Sequence, residues 1–309
     1  MLLITREILP EVLARAQAEH EVRALNMVGP FDAAKLLAAC DGVDAILCNT
    51  ADKFTAGIIN ALPPSVKVIA TYSVGTEHLD LAAAAARGIK IANTPGVLDR
   101  ATAEMSLLLL LMAARRAGEG ERLLRAGKWR GIAPTFLLGH DVAGKTLGIY
   151  GMGRIGQVLA RFARGLDMTI HYHNRTRLPP GLEQGAIYHE RAETFLPALD
   201  FLSINAPGNP SSTGWLNAAR LAQLKPGAIV INTGRGPIVD DEALIAALKS
   251  GHVRAAGLDV YNNEPDIHPG YYALENAVLI PHLGSATIET RTAMGHLALD
   301  GIKAALSPP

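Results

Sequence analysis

Residues 146–166 admit very few folds. They read TLGIYGMGRIGQVLARFARGL, an apolar strand, a glycine-rich turn and an amphipathic helix that begins near Arg154. Gly151 permits the sharp turn, Gly153 lets a pyrophosphate approach the backbone, and Gly156 allows close packing of helix on strand. The free N–H groups and positive dipole end of the helix attract an anion. Alone, a G-x-G-x-x-G match also marks purely structural turns; between a strand and a helix it predicts dinucleotide binding.

Strand-like and helix-like segments alternate along the whole chain. Short strands such as VDAILCNT and VKVIATYSVG are separated by helical segments, and the pattern restarts at KTLGIYGMGRIG. It continues through DFLSINAP, AIVINTGRG, RAAGLDVY and AVLIPHLG. The alternation predicts parallel sheets covered on both faces, in two α/β units. We expect one long helix from about Arg100 to Gly127, and a last helix that crosses back to the first unit.

Charge and cysteine content exclude several classes of protein. The 309 residues include 29 Lys+Arg and 29 Asp+Glu, so the net charge is zero, which argues against a nucleic-acid or membrane-surface binder. Cys40 and Cys48 are too few for a disulfide framework and lack zinc-ligand spacing, so we expect no metal and a reducing cytoplasm. MLLITREILP is not a signal peptide. The uncharged part of MSLLLLLMAARR covers about ten residues, roughly half a membrane span, and predicts a buried helix.

The segment Met168–Arg177, MTIHYHNRTR, places positive charge at the end of a strand. In most dinucleotide-binding units this position carries an acid that binds the ribose 2′-hydroxyl of NAD. Here Asn174 stands there, followed by Arg175, Thr176 and Arg177. A carboxylate would repel a 2′-phosphate, whereas amide, hydroxyl and guanidinium groups bind one. The sequence therefore predicts NADP(H) as cofactor; the alternative is that these arginines are solvated loop charges.

Three polar residues follow predicted strands, where open α/β sheets bind ligands. Arg235 lies in INTGRGPIVDDEAL before a helix that Asp240 is expected to cap, Glu264 in GLDVYNNEP, and His282 in LIPHLGSAT. An arginine holds a carboxylate through two bonds, and a histidine beside a carboxylate exchanges a proton near neutral pH. Each has a plain alternative as a loop charge, a turn residue or a structural histidine. Together in one domain they predict a catalytic site.

At these motifs the chain resembles the D-isomer-specific 2-hydroxyacid dehydrogenases over nearly its whole length. YSVGTEHLD and NTPGVLDRATAE add to the match. The resemblance is greatest to the glyoxylate/hydroxypyruvate reductases, several of which use NADPH. It implies reduction of a small 2-oxo acid by hydride transfer and two doubly wound parallel-sheet domains. A flavodoxin-like substrate domain would comprise residues 1–97 and 286–309, and a Rossmann domain that binds NADP(H) would comprise residues 98–285.

The resemblance also implies residue roles. His282 would be the acid/base, Glu264 its partner, and Arg235 the anchor of the substrate carboxylate and carbonyl. The substrate-binding loop would be Ser73, Val74 and Gly75, with the last two binding the carboxylate through their backbone. Besides the glycines and residues 174–177, the implied cofactor residues are Thr102, Arg154, Ile155, Ala206 and Pro207 (adenosine side), Thr233 and Asp259 (nicotinamide side), and Gly284. The family dimerises through its cofactor domain, so a homodimer is expected.

One departure leaves the substrate open. After NTPGVL the reductases commonly have Thr-Asp or a similar pair, whereas this chain has Asp99-Arg100. Glyoxylate, hydroxypyruvate, pyruvate and bulkier 2-oxo acids all stay candidates, and NADPH use would favour reduction. The alternative class is a dinucleotide-sensing, corepressor-like protein, which the catalytic residues and the lack of an added tail disfavour. Oxidation of 3-phosphoglycerate fits less well, because no regulatory domain is visible.

Overall fold

A computed structural model describes residues 1–307, which form two compact α/β units. The first comprises Met1–Leu98 and the chain from Ser285 onward, and the second comprises Asp99–Gly284. The strands are β1 (Leu2–Ile4), β2 (Val22–Ala24), β3 (Ala45–Cys48), β4 (Val68–Thr71), β5 (Lys90–Ala92), β6 (Thr146–Tyr150), β7 (Thr169–His173), β8 (Ile187–Tyr188), β9 (Phe201–Ile204), β10 (Ala228–Asn232), β11 (Val253–Leu258) and β12 (Ala277–Leu279). The helices are α1 (Pro10–Glu19), α2 (Ala33–Ala38), α3 (Ala56–Ala61), α4 (Leu81–Ala86), α5 (Asp99–Ala114), α6 (Ala117–Arg125), α7 (Arg154–Arg164), α8 (Pro180–Glu183), α9 (Ala192–Phe195), α10 (Ala218–Leu221), α11 (Asp241–Ser250) and α12 (Ile288–Leu306).

Each unit is built on one parallel sheet. The first sheet has the order β2-β1-β3-β4-β5, which is the flavodoxin-like order. The second has the order β12-β11-β10-β9-β6-β7-β8, and its strand order reverses between β6 and β9. In open α/β sheets ligands bind outside the carboxyl ends of the strands at this reversal. The fold class expected from the sequence, two doubly wound parallel-sheet domains, is confirmed.

The strands are nearly continuous apolar runs because helices cover both faces of each sheet. In the first sheet Leu3 packs with Leu36 of α2, whereas Leu2 faces the opposite side and packs with Val12 of α1 and Leu299 of α12. All five of these side chains are fully buried. Full burial of a leucine contributes about 1.5–3 kcal/mol. The last helix thus belongs to the core of the first unit.

The expectation of one long helix from about Arg100 to Gly127 is wrong, because this segment forms two helices, α5 and α6. Arg116 has φ +52°, a left-handed conformation, at the junction. The backbone N–H of His140 donates to the carbonyl of Ala114 at 2.9 Å, so that carbonyl is taken by a distant part of the chain. A Cβ at Gly139 would lie 2.5 Å from the same oxygen. In the described part of the chain, no helix is long and apolar enough to cross a membrane.

Candidate active site

The loop after β10 carries Arg235 at the carboxyl edge of the second sheet. Asn232 shapes this loop: its Oδ1 accepts from the N–H of Gly234 at 3.0 Å, and its Nδ2 donates to the carbonyl of Arg235 at 3.1 Å. The Nη1 of Arg235 donates to the Gly234 carbonyl at 2.8 Å. A Cβ at Gly236 would overlap the Tyr261 backbone, so only glycine lets this loop pack on the loop after β11.

The helix that follows this loop is capped as expected. Asp240 is the N-cap of α11, and its Oδ1 accepts from the N–H of Ala243 at 3.1 Å. An N-cap of this kind satisfies one of the free N–H groups of the first turn and contributes about 1 kcal/mol. The cap therefore fixes the end of the Arg235 loop.

His282 and Glu264 come together at the same edge of the sheet. The Nδ1 of His282 lies 2.7 Å from the Oε2 of Glu264, and the Oε1 of Glu264 accepts from the N–H of Tyr261 at 2.7 Å. Burial acts to raise the pKa of Glu264, but the hydrogen bond and charge of His282, with smaller contributions from Tyr261 and Arg235, lower it. Glu264 is therefore held ionised. With Nδ1 bonded to this carboxylate, Nε2 is the ring atom that can exchange a proton.

Asp259 holds the loop that carries His282. This residue follows β11 and is 1% exposed. Its Oδ1 accepts from the N–H of Leu283 at 2.6 Å and its Oδ2 from the N–H of Gly284 at 2.8 Å, while its carbonyl accepts from the N–H of His282 at 2.9 Å. Burial raises the pKa of Asp259, and the two backbone bonds and the His282 charge only partly oppose it. His282 itself has φ +54°, which these contacts sustain.

The glycine-rich turn is closely packed at two positions and open at the third. Gly151 has φ +93°, and a Cβ there would lie 2.5 Å from the backbone nitrogen of Ala206. A Cβ at Gly156 would lie 2.7 Å from the Gly151 carbonyl oxygen, whereas none of the described atoms lies within 4 Å of the corresponding position at Gly153. The turn, as the sequence predicts, sits between β6 and α7. Its open side at Gly153 fits a pyrophosphate at the start of a helix.

Asn174 holds the glycine-rich turn through a hydrogen bond, and of the two arginines that follow it only Arg177 forms an ion pair. The Oδ1 of Asn174 accepts from the N–H of Met152 at 2.7 Å. Arg175 is exposed and makes no hydrogen bond or ion pair with any other described residue, and Thr176 is exposed as well. Arg177 instead forms an ion pair with Glu183, with Nε 2.8 Å from Oε1. Unpaired cationic charge therefore stands at Arg175.

Buried hydroxyl and amide groups surround Thr233, and sequence reasoning missed most of them. The Oγ1 of Thr233 lies 2.6 Å from the Oγ of Ser106 and accepts from the Nδ2 of Asn205 at 3.0 Å. The Ser106 hydroxyl donates to the carbonyl of Thr102 at 3.0 Å. The signal for Asn205 was its place directly after the strand in DFLSINAP. The network joins Thr102 and Thr233, two residues implied for the cofactor.

The other residues that the resemblance implies for the cofactor lie in the second unit. The carbonyl of Pro207 accepts from the Ser212 hydroxyl at 2.9 Å, and a Cβ at Gly284 would lie 3.4 Å from Thr102. Ile155 occupies the second position of α7. The unusual Asp99 pairs with Arg154 of the glycine-rich turn, with Nε 3.1 Å from Oδ2.

The loop after β4 in the first unit exposes two backbone donors. Asn93 Nδ2 donates to the Val74 carbonyl at 2.7 Å, and Ser73 Oγ donates to the Gly75 carbonyl at 2.6 Å. The N–H of Thr94 donates to the Ser73 carbonyl at 2.8 Å. Among residues 1–307, no acceptor is bonded to the N–H groups of Val74 and Gly75. Such donors suit a carboxylate.

These observations define a dinucleotide-binding α/β protein with a histidine–carboxylate pair at its strand ends. Nowhere in residues 1–307 do three or more His, Cys, Asp or Glu side chains cluster to hold a metal ion. Residues 107–284 match the protein-family model described as "D-isomer specific 2-hydroxyacid dehydrogenase, NAD binding domain".

Relatives match the chain over most of its length. The glycerate dehydrogenase of Hyphomicrobium methylovorum is 42% identical over 98% of this chain and 95% of its own. The glyoxylate reductase of Thermococcus litoralis is 43% identical over 82% of this chain and 78% of its own. The crystal structure of an NADPH-dependent glyoxylate/hydroxypyruvate reductase from Sinorhizobium meliloti, in complex with NADP and malonate, has a TM-score of 0.85 and 35% identity, covering 99% of this chain and 93% of that one.

The chain belongs to the D-isomer-specific 2-hydroxyacid dehydrogenases, so the family expected from the motifs is confirmed. As a member it is an oxidoreductase that works with a nicotinamide dinucleotide.

Proposed function

We propose that this protein is an NADPH-dependent reductase of small 2-oxo acids of the glyoxylate and hydroxypyruvate type. The observation that carries the proposal is the 2.7 Å contact between His282 and Glu264, in the same unit as Arg235 and the glycine-rich turn. Relatives named glyoxylate reductase and glycerate dehydrogenase support the substrate class.

The reaction needs a proton donor and an anion anchor, and the chain offers both. When bound, the reduced nicotinamide supplies a hydride to the carbonyl carbon of the 2-oxo acid. His282, protonated, donates from Nε2 to the carbonyl oxygen, which becomes the hydroxyl. Glu264 orients the ring and stabilises its charged form, since its own pKa is lowered. Arg235 binds the substrate carboxylate and stabilises the charge that develops on the oxygen. His282 then regains a proton from water.

The second unit supplies the residues that would bind the cofactor. The N–H groups at the start of α7, with Gly153 between them and β6, hold the pyrophosphate. Thr102, Thr233 and Asp259 would bind the nicotinamide side of the cofactor, and Ala206 and Pro207 would bind its adenosine side. Arg175 binds the 2′-phosphate, since position 174 carries no repelling acid.

A substrate panel tests the proposed activity. We expect NADPH oxidation with glyoxylate and hydroxypyruvate, slower oxidation with bulkier 2-oxo acids, and none with acids that lack the 2-oxo group. The loss of NADPH absorbance measures each rate. Tight NADPH binding without turnover of any 2-oxo acid would instead indicate a dinucleotide-sensing protein and overturn the proposal.

A double substitution tests the cofactor preference. One charge-assisted hydrogen bond contributes about 1.5–3 kcal/mol, or roughly 10- to 150-fold in affinity. Asn174→Asp combined with Arg175→Ala should therefore reverse the preference from NADPH to NADH, mainly by raising KM for NADPH, with little change in kcat. Arg191→Ala removes another exposed arginine from the same unit and is the control. Equal use of NADH and NADPH by the unsubstituted enzyme at low salt contradicts the assignment.

A homodimer would cover an apolar segment of the second unit. Trp129, Ile132, Phe136 and Leu138 are 50%, 91%, 41% and 59% exposed. Large exposed apolar patches mark protein interfaces. Beside them lies a cavity of about 370 Å³, lined by Leu138 among others.

Ile132→Asp should therefore shift the protein from dimer to monomer in analytical ultracentrifugation, because a charge on the interface is costly to bury. Val28→Asp alters an equally exposed residue of the first unit, 95% exposed, and should leave the dimer intact. A monomeric unsubstituted protein at micromolar concentration would rule out this interface.

A further inference from the structure

Arg177 is engaged by a buried carboxylate. Its Nε lies 2.8 Å from Oε1 of Glu183 and its Nη2 lies 3.1 Å from Oε2, so the two planar groups meet through parallel bonds. The guanidinium also lies 5.8 Å from the ring centroid of Tyr188. Glu183 is only 7% exposed, although acidic residues are mostly exposed. The carboxylate of Glu183 therefore neutralises the charge of Arg177.

Glu183 is itself part of a buried network that ties down the turn after β7. Tyr172, which is fully buried, donates its hydroxyl to Oε1 of Glu183 at 2.5 Å. The same hydroxyl accepts from the N–H of Leu178 at 3.1 Å, and Arg164 donates to the Glu183 carbonyl at 2.8 Å. The turn is thus fastened at Arg177 and at the next residue.

The other end of the turn is fastened as well, and Arg175 lies between the two. Asn174 bonds to the N–H of Met152, and its carbonyl accepts from the Tyr188 hydroxyl at 3.4 Å. Arg175 has no partner among residues 1–307. A phosphate that bound Arg177 would share a guanidinium that is already paired with a carboxylate, and it would approach the Glu183 charge. Arg175 offers its guanidinium without that competition.

We propose that Glu183 and Arg177 are a positioning pair for the 2′-phosphate site, not ligands of the phosphate. Their ion pair fixes the turn of residues 174–178 so that Arg175 alone discriminates NADPH from NADH. This inference rests on the proposed cofactor preference. It differs from the sequence-based expectation that residues 174–177 together bind the phosphate.

The test compares binding of adenosine 2′,5′-bisphosphate with that of adenosine 5′-monophosphate by calorimetry, which needs no turnover. The ratio of the two affinities measures recognition of the 2′-phosphate. Arg175→Ala should lower this ratio about 10- to 150-fold. Glu183→Gln and Arg177→Ala should each lower it about 2- to 10-fold, and neither should change it further in the Arg175→Ala background, because they act through Arg175.

Direct binding by Arg177 predicts a different pattern. Glu183→Gln would then release Arg177 and raise the ratio, while Arg177→Ala would lower it even without Arg175. Either result overturns the positioning pair. If a variant fails to fold by circular dichroism, Tyr172→Phe and Arg177→Lys perturb the same network more gently, and the same cycle with Arg175→Ala applies. If the unsubstituted protein bound the two nucleotides with equal affinity, both the proposed 2′-phosphate site and the positioning pair would be wrong. If Arg177→Ala still lowered the ratio in the Arg175→Ala background, only the positioning pair would be wrong.

Discussion

His282→Ala is expected to lower kcat for reduction of a 2-oxo acid by about 10²–10⁴-fold, the usual contribution of a general acid. The substitution removes the proton donor that the 2.7 Å contact with Glu264 holds in place. The affinity for NADPH should stay unchanged, because the pyrophosphate turn at Gly153 lies on other elements of the sheet. Stopped-flow turnover and equilibrium binding of NADPH measure the two quantities separately.

The chain offers a matched control for this variant. His268 also bonds a glutamate, with Nε2 2.9 Å from Oε1 of Glu242, but neither residue is part of the proposed site. His268→Ala should leave kcat within about threefold, since His268 has no role in the proposed reaction. Near-normal turnover by His282→Ala on every reducible 2-oxo acid would show that the proton comes from another group.

Local steric demands made much of the fold predictable. Gly151 and Gly156 of the turn are required by close backbone approaches, and the sequence shows such requirements directly as glycines. The break at Arg116 was not predictable, because the contact that ends α5 comes from His140, far along the chain. Strands β2 and β8 were missed because they are short, half-exposed edge strands with weak apolar patterning.

The residues of the candidate site also fall into those that the sequence predicts and those that it does not. Arg235, Glu264 and His282 were found because each lies in a loop that follows a strand, and parallel strands bring their carboxyl ends to one edge. The partners that position them were not found. Ser106 and Thr233 are 127 residues apart in the chain, and no local pattern joins them. Glu183 was missed because an acidic residue in a short helix gives no sign that it is buried against Arg177.

Arg235 is expected to contribute to binding and to chemistry, so its substitutions should affect two kinetic constants. Loss of one preorganised donor to a developing oxyanion costs about 10²–10³-fold in kcat, which is the decrease expected for Arg235→Ala. Arg235→Lys keeps the charge but loses the planar fork, so we expect a smaller decrease in kcat together with a higher KM for the 2-oxo acid.

The local structure makes this pair of variants informative. Asn232 and Gly236 hold the backbone of the Arg235 loop in both variants, although Arg235→Ala also removes the bond from Nη1 to the Gly234 carbonyl. Arg254→Lys, an exposed substitution on β11, is the matched control and should leave both constants unchanged. Initial rates over a range of 2-oxo acid concentrations at saturating NADPH separate the constants. A fall in kcat with unchanged KM would mean that a group other than Arg235 holds the substrate carboxylate.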